Sequence, residues 1–260
     1  MGSRHLSRLA VLTSFVAVAL LLSGCSIFDS PQNTFAPAGE VARDQKNLFF
    51  LTMWPALAIL ILVEGLLLFI LFRFRRKQGD DGLPQQVHGN NKLEIGWTIA
   101  PVILLAFFVP PTVGGIIDLG RTPKDAIVVD VTGVQWAWQF QYEAAAGATP
   151  VQTLNELHIP IGRNIVFKLR STDVNHSFWV PRLAGKTDVI PGRENHMWIK
   201  GTEIGTYSGQ CAEFCGVGHG KMRFDVIVES EEDFQNWLKQ QQTAARDGSG
   251  QPLLATTGSN

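Results

Sequence analysis

Positions 211–222 read Cys-Ala-Glu-Phe-Cys-Gly-Val-Gly-His-Gly-Lys-Met, so two thiols (Cys211, Cys215), an imidazole (His219) and a thioether (Met222) share one short segment. Soft sulfur together with imidazole is the ligand set that copper prefers. A disulfide between the two cysteines is the competing reading, and an exported compartment would permit it. A disulfide, however, has no use for His219 or Met222, and glycines at 216, 218 and 220 describe a tight loop. A single-copper blue site takes one Cys, two His and a weak axial Met, which would leave one thiolate spare. Two thiolates can instead bridge two coppers if a second imidazole arrives from elsewhere; His158, His176 and His196 are the candidates. His176 lies in 173–181 (Asp-Val-Asn-His-Ser-Phe-Trp-Val-Pro), a connection from which an imidazole can reach the loop. His158 and His196 fall in strand-like stretches, where a structural role is the expectation.

These donors need a scaffold, and the sequence after about residue 126 describes one. Short runs rich in Val, Ile and aromatics, at 127–133, 165–169, 197–200 and 222–228, are separated by Gly, Pro and Asn. Such runs within one domain predict an antiparallel β-sandwich or barrel. Trp136, Trp138 and Phe140 alternate, as on one buried strand face. Residues 231–241 read as an amphipathic surface helix, with Ser230 as N-cap and Phe234, Trp237 and Leu238 on one face. From 243 to 260 the chain is rich in Gly, Ser and Thr and is expected to be a disordered tail.

The first half of the chain belongs to a membrane. Arg4 and Arg8 precede an apolar run at 9–22, followed by Ser23, Gly24 and Cys25. That is the n-region, h-region and cleavage site of an export signal at 1–24. Its Leu-Ser-Gly-Cys ending resembles a bacterial lipobox, at which Cys25 becomes the lipid-anchored N-terminus. Residues 25–47 then form an exported segment, and 48–119 a transmembrane hairpin. The apolar runs at 48–72 and 95–117 can each cross about 30 Å of hydrocarbon at 1.5 Å per residue. Arg73, Arg75, Arg76 and Lys77 sit at the boundary of the first run, so the positive-inside rule puts the loop at about 73–92 in the cytoplasm and everything after 120 on the exported side. Glu64, inside the first run, is costly in lipid and is expected to face a protein neighbour. Pro101, Pro110 and Pro111 in the second run suggest packing against further helices.

Composition narrows the classes further. Of the 260 residues, 45% are hydrophobic and 17% charged, which excludes intrinsic disorder. The net charge of −1 provides no basic face to track a phosphate backbone, so nucleic acid is not an expected partner.

The order Trp136-Ala137-Trp138 after Gly133, then 173–181, Lys186-Thr187-Asp188, Pro191-Gly192-Arg193 and 211–222, resembles subunit II of cytochrome c oxidase over about residues 40–240. The resemblance implies a cupredoxin-like sandwich, 120–242, carrying a binuclear copper A centre. In it Cys211 and Cys215 match the bridging thiolates, His176 and His219 the terminal imidazoles, Met222 the thioether, and Glu213 the residue whose carbonyl completes the set. The Glu213 carboxylate matches a ligand to magnesium shared with subunit I, which suits a hard oxygen donor. Trp136 matches the tryptophan through which electrons enter, although Ala137 and Gln141 stand where relatives often carry an aromatic and an acidic residue. Asp173 and Asp188 match acidic positions used for donor docking. Glu94 matches a glutamate at the mouth of a proton pathway into subunit I, and a carboxylate at a helix N-terminus is also favoured by the macrodipole.

The expected function follows from that resemblance. The chain would be the electron-accepting subunit of a terminal oxidase in a bacterial plasma membrane. It would take electrons from cytochrome c or a blue copper protein and pass them to haem in subunit I, where oxygen reduction drives proton pumping. Alternatives are a copper-free structural subunit of a quinol oxidase and a membrane-tethered copper carrier. No Cys-x-x-Cys-His is present, so a fused cytochrome c domain is not expected.

Overall fold

Residues 12–18, 30–75, 82, 86, 88–143 and 150–247 are described by a computed structural model. Cys25, most of the expected export signal and part of the 73–92 loop lie outside the described residues. Both apolar runs form continuous helices, α1 (Glu40–Arg73) and α2 (Asn91–Leu119), despite Pro55 in the first and Pro101, Pro110 and Pro111 in the second. Each is long and apolar enough to span a bilayer, and their apolar side chains are exposed along the spans.

α1 starts at Glu40, ahead of the apolar run at 48, because its first turn packs on the domain that follows the two helices. Val41 and Ala42 are buried there, with Ala38 just before them. The preceding residues form a strap. The amide of Ala38 donates to the Arg182 carbonyl (2.8 Å), that of Glu40 to Lys200 (3.0 Å), and that of Thr202 to Ala38 (2.7 Å). The Arg182 guanidinium returns a bond to the Ala36 carbonyl at 2.7 Å. Gly39 pairs with Gly201, and a Cβ at Gly39 would stand 2.3 Å from the Leu183 carbonyl oxygen, so only glycine fits.

The domain after the two helices is a two-layer sandwich. Its strands are β1 (Ile127–Val134), β2 (Ala137–Tyr142), β3 (Val151–Leu154), β4 (Glu156–Pro160), β5 (Ile165–Ser171), β6 (His176–Trp179), β7 (Lys186–Val189), β8 (Asn195–Ile199), β9 (Gly205–Cys211) and β10 (Arg223–Glu229). One sheet runs β3-β2-β1-β5-β8 and the other β4-β10-β9-β6-β7. The sandwich matches expectation, but its wholly antiparallel character does not: β1 pairs with β5, and β4 with β10, in parallel. The chain leaves the first sheet after β3, spends β4 in the second, and returns beside β1 running the same way. A switch of sheet is what places two like-directed strands side by side.

Alternating inward residues fill the space between the sheets. Trp138, Phe140, Phe167 and Phe178 are fully buried, and Phe178 stacks on Phe224 with centroids 4.7 Å apart. Gly209 makes that stack possible, since a Cβ there would lie 2.2 Å from Phe224 Cζ. Trp136 does not share this face. β2 begins only at Ala137, and Trp136 sits in the preceding turn, 38% exposed.

α3 (Glu231–Asp247) closes the domain. Ser230 Oγ accepts from the Asp233 amide at 3.0 Å, the expected N-cap. Phe234 is buried, and Trp237 stacks on the His158 ring at 4.1 Å. The helix runs past the expected end at 241 and takes in the first residues of the expected tail. Ala244, Ala245 and Arg246 are strong helix formers, and their propensity outweighs the Gly- and Ser-rich composition beyond them. Residues 248–260 lie outside the described residues.

Candidate metal centre

The run 211–222 is the β9–β10 connection. The Cys211 amide donates to the Met222 carbonyl at 2.9 Å, so the antiparallel ladder closes the loop at its base. Within it Gly216 takes φ +114°, which folds Cys215 back toward Cys211, and a 3-10 turn at His219–Lys221 aims His219 and Met222 inward. His176 comes from β6, which pairs with β9 through Phe178 and Cys211. The register therefore sets the first residue of β6 beside the end of β9. Gly133 makes room for the ring, because a Cβ there would be 2.9 Å from His176 Cδ2.

The donor atoms converge. Cys211 Sγ lies 3.7 Å from Cys215 Sγ and 3.9 Å from His176 Nδ1. Cys215 Sγ lies 3.6 Å from His219 Nδ1 and 3.7 Å from Met222 Sδ. The Glu213 carbonyl oxygen is 3.2 Å from Cys211 Sγ. Both thiols are free, at a separation that no disulfide has. Bonds of about 2.0 Å to nitrogen and 2.3 Å to sulfur put neighbouring donors of a tetrahedral metal about 3.3–3.8 Å apart, close to these spacings. Cys211, Cys215, His176 and Met222 are buried and His219 half-buried, so water has little access to the cluster. The donor set thus fits a soft metal held by thiolate, imidazole and thioether.

Electrostatics prepare the two thiols differently. Burial opposes ionisation of Cys211, but hydrogen bonds from His176 and from the Glu213 and Ser177 backbone outweigh it and bring the thiol down to about 6. Burial and the adjacent Cys211 charge push Cys215 up to about 12. One ready thiolate beside one retained thiol is what two sulfurs so close together must give.

Asp173, expected as a docking acid, is also engaged with a donor residue. Its Oδ1 lies 2.8 Å from His176 Nε2, and it also accepts from the Gln135 and Val174 amides, both at 2.6 Å. Burial resists its charge, yet these bonds hold its carboxyl below the usual carboxylate range. Burial also disfavours a charged His176, but its bonds to Cys211 and then to Asp173 raise it above its ordinary value. A carboxylate on the outer ring nitrogen fixes the tautomer and leaves Nδ1 for the metal. Asp188, on β7, is exposed and free of such duty.

Trp136 touches the centre through the loop backbone. Its Nε1 donates to the Cys215 carbonyl at 3.1 Å, and Gln135 Nε2 donates to the same oxygen at 2.7 Å. The indole lies over Gly218, where a Cβ would be 2.3 Å from its ring, while its other side meets solvent. Gln135 escapes sequence reasoning, because nothing in its spacing announces a bond to the Cys215 carbonyl, and Gly218, expected only as part of a tight loop, makes room for the indole.

The remaining candidates lie elsewhere. Glu213 has an exposed side chain at the loop rim. Glu94 is in the first turn of α2, where its Oε1 accepts from the Asn90 amide at 3.2 Å while Asn90 Oδ1 accepts from Lys92 and Leu93. This reciprocal cap is the structural role left open for it. His158 bonds Glu229 and Glu156 at 2.9 and 3.0 Å and His196 pairs with Glu194, so both are occupied outside the cluster, as expected.

Comparison with known proteins agrees with this architecture. The transmembrane-domain model of cytochrome c oxidase subunit II matches residues 31–112, and its periplasmic-domain model matches 144–230. Cytochrome c oxidase subunit 2 of Alkalihalophilus pseudofirmus is 37% identical over 228 residues, which is 85% of this chain and 65% of that protein. This chain therefore spans just under two thirds of that relative's length. Quinol oxidase subunit 2 of Bacillus spizizenii is 34% identical over 249 residues, covering 93% of this chain and 75% of that one. The crystal structure of the periplasmic domain of subunit II from Bradyrhizobium japonicum aligns with 47% of this chain and 98% of its own, at 28% identity and a TM-score of 0.44. With one family model matched to the two-helix part and the other to the sandwich from residue 144 on, the chain belongs to the cytochrome c oxidase subunit II family of haem-copper oxidase subunits.

Proposed function

We propose that this chain is the electron-accepting subunit of a terminal oxidase and holds a binuclear copper A centre. The Cys211 and Cys215 thiolates, the His176 and His219 imidazoles, the Met222 thioether and the Glu213 carbonyl would hold it. Bound there, the copper pair supplies a one-electron store whose charge is shared between two metals. Trp136 gives the entry route: one side of its ring meets solvent, and its Nε1 bonds a carbonyl of a ligand residue. Asp188 offers the exposed charge for a basic donor, a cytochrome c or a blue copper protein, and would chiefly raise the encounter rate. Electrons would leave toward haem in subunit I, where the exposed Glu213 carboxylate would offer magnesium a hard oxygen donor. Glu94 stands at the mouth of a proton path into the same partner. The chain lies in a bacterial plasma membrane with the sandwich on the exported side, and Cys25 carries the lipid anchor.

The convergence of two free thiols, two imidazoles and a thioether within 3.6–3.9 Å of one another in sequence along the cluster carries this reading. Similarity to a quinol oxidase subunit 2 favours a second reading, a copper-free structural subunit. That reading leaves the buried donor set without a task. Metal analysis and electron paramagnetic resonance of the full-length chain, loaded with copper in detergent, decide between them. Two coppers per chain sharing one unpaired electron are expected, and Cys215→Ser should abolish that shared spectrum. One copper with a localised electron, or none in a folded protein, would overturn the proposal.

A further inference from the structure

Glu64 is the only ionisable residue in the apolar run 48–72. It precedes Arg73 by nine positions, about 14 Å along the helix, so its short side chain reaches neither surface of the hydrocarbon layer. Its side chain is exposed and has no hydrogen-bond or ion-pair partner among the described residues.

The position of Glu64 on α1 is informative. α1 meets α2 near their outer ends, where Val41, Leu48 and Leu51 face Pro111 and Ile116 across a crevice of about 860 Å³. Glu64 follows Leu48 by sixteen positions, which at about 100° per residue places it roughly 160° around the axis. It therefore looks away from α2. Leu57, Leu60, Ile61, Leu67, Leu68 and Leu71 surround it, all exposed, and a Cβ on neighbouring Gly65 would meet nothing within 4 Å. Lipid tails can pack against the leucines but offer a carboxyl no partner, and an unpartnered polar group at this depth is costly.

We propose that the Glu64 face of α1 docks a helix of a membrane-embedded partner subunit, and that this helix presents a hydrogen-bond donor, basic or hydroxyl, to the Glu64 carboxyl. The carboxyl fixes both the rotation of α1 against the partner and the depth at which the two helices meet, since only one register satisfies it. The proposal rests on the reading of this chain as an oxidase subunit, but not on the metal it carries.

The test compares the purified full-length chain with the assembled complex, each treated with the membrane-permeant reagent dicyclohexylcarbodiimide and analysed by peptide mass spectrometry. Glu64 should be modified in the chain alone and about tenfold less in the complex. Equal modification in both would mean that Glu64 faces lipid, and would overturn the proposal. Recovery of the haem-bearing subunit with this chain after detergent extraction gives a second reading. Glu64→Leu should lower it about tenfold, while Glu64→Gln, whose amide still bonds, should stay within about twofold of wild type. Wild-type recovery with Glu64→Leu overturns the proposal, and decides the matter if neither sample takes the label. Copper content of the same preparations reads the metal centre separately. Its loss with Glu64 still protected would sink the copper reading alone.

Discussion

At the scale of single residues the centre is a problem of proton accounting. Cys211 is ionised above about 6 and Cys215 keeps its proton to about 12. A metal that takes both sulfurs as thiolates must displace the Cys215 proton throughout the neutral range. The apparent copper affinity of the metal-free chain should therefore rise at least tenfold per pH unit across the neutral range, and more steeply toward acid, where His176, raised above its ordinary value, and then Cys211, below about 6, must also give up protons. Competition against a chelator of known pH dependence measures this, and a flat profile would contradict the thiol assignments. Trp136→Ala tests the route into the centre. It removes the ring over Gly218 and one of two bonds to the Cys215 carbonyl, while Gln135 keeps the other. Copper content should stay at the wild-type level while reduction by the exported donor slows about tenfold or more. Unchanged reduction would exclude this tryptophan from the path.

At the scale of elements the question is what holds the loop and the sheets in register. α3 lies across the β3 and β4 ends of the two sheets: Phe234 and Trp237 both meet Tyr142 of β2, Trp237 edge-on at 5.3 Å, and Trp237 stacks on His158 of β4. Trp237→Ala should cost about 2–3 kcal/mol in thermal or denaturant unfolding of the exported domain, since a large half-buried ring is lost from one face. The copper spectrum should be unaffected, because α3 touches none of the donors. Much of this architecture could be read beforehand. The strand runs at 127–133, 165–169 and 222–228 and the helix from Ser230 declare themselves through period and cap. The loop ligands did so too, because four sulfur and imidazole donors crowd into one segment. Three features were not legible, and each depends on a contact distant in sequence. The parallel pairing of β1 with β5 depends on a change of sheet, which leaves no local mark. Asp173 looks like any surface acid until the fold sets it on His176. Trp136 seems to continue the Trp138–Phe140 alternation, and only the start of β2 at Ala137 separates it from the core.

The whole molecule ties two apolar, span-length helices to a sandwich domain and places chemistry-bearing residues at both ends of it. Glu94, at the inner start of α2, caps that helix through Asn90. Glu94→Gln keeps an acceptor for the Asn90 amide but loses the exchangeable carboxyl proton. Steady-state oxygen consumption by the assembled complex should fall several-fold, while rapid reduction of the copper centre by the donor is unchanged. Full turnover with the amide would remove Glu94 from proton delivery and leave it as a cap alone. The strap that joins anchor to sandwich adds a constraint of a different kind, one of timing. Ala36 and Arg182 are 146 positions apart along the chain. In synthesis from the N-terminus, residues 36–42 are made first and then wait through both membrane crossings and most of the sandwich before residues 182–202 exist to receive them. The seam between anchor and domain is thus among the last to close, and a chain arrested anywhere before residue 182 has a tethered but unseated domain.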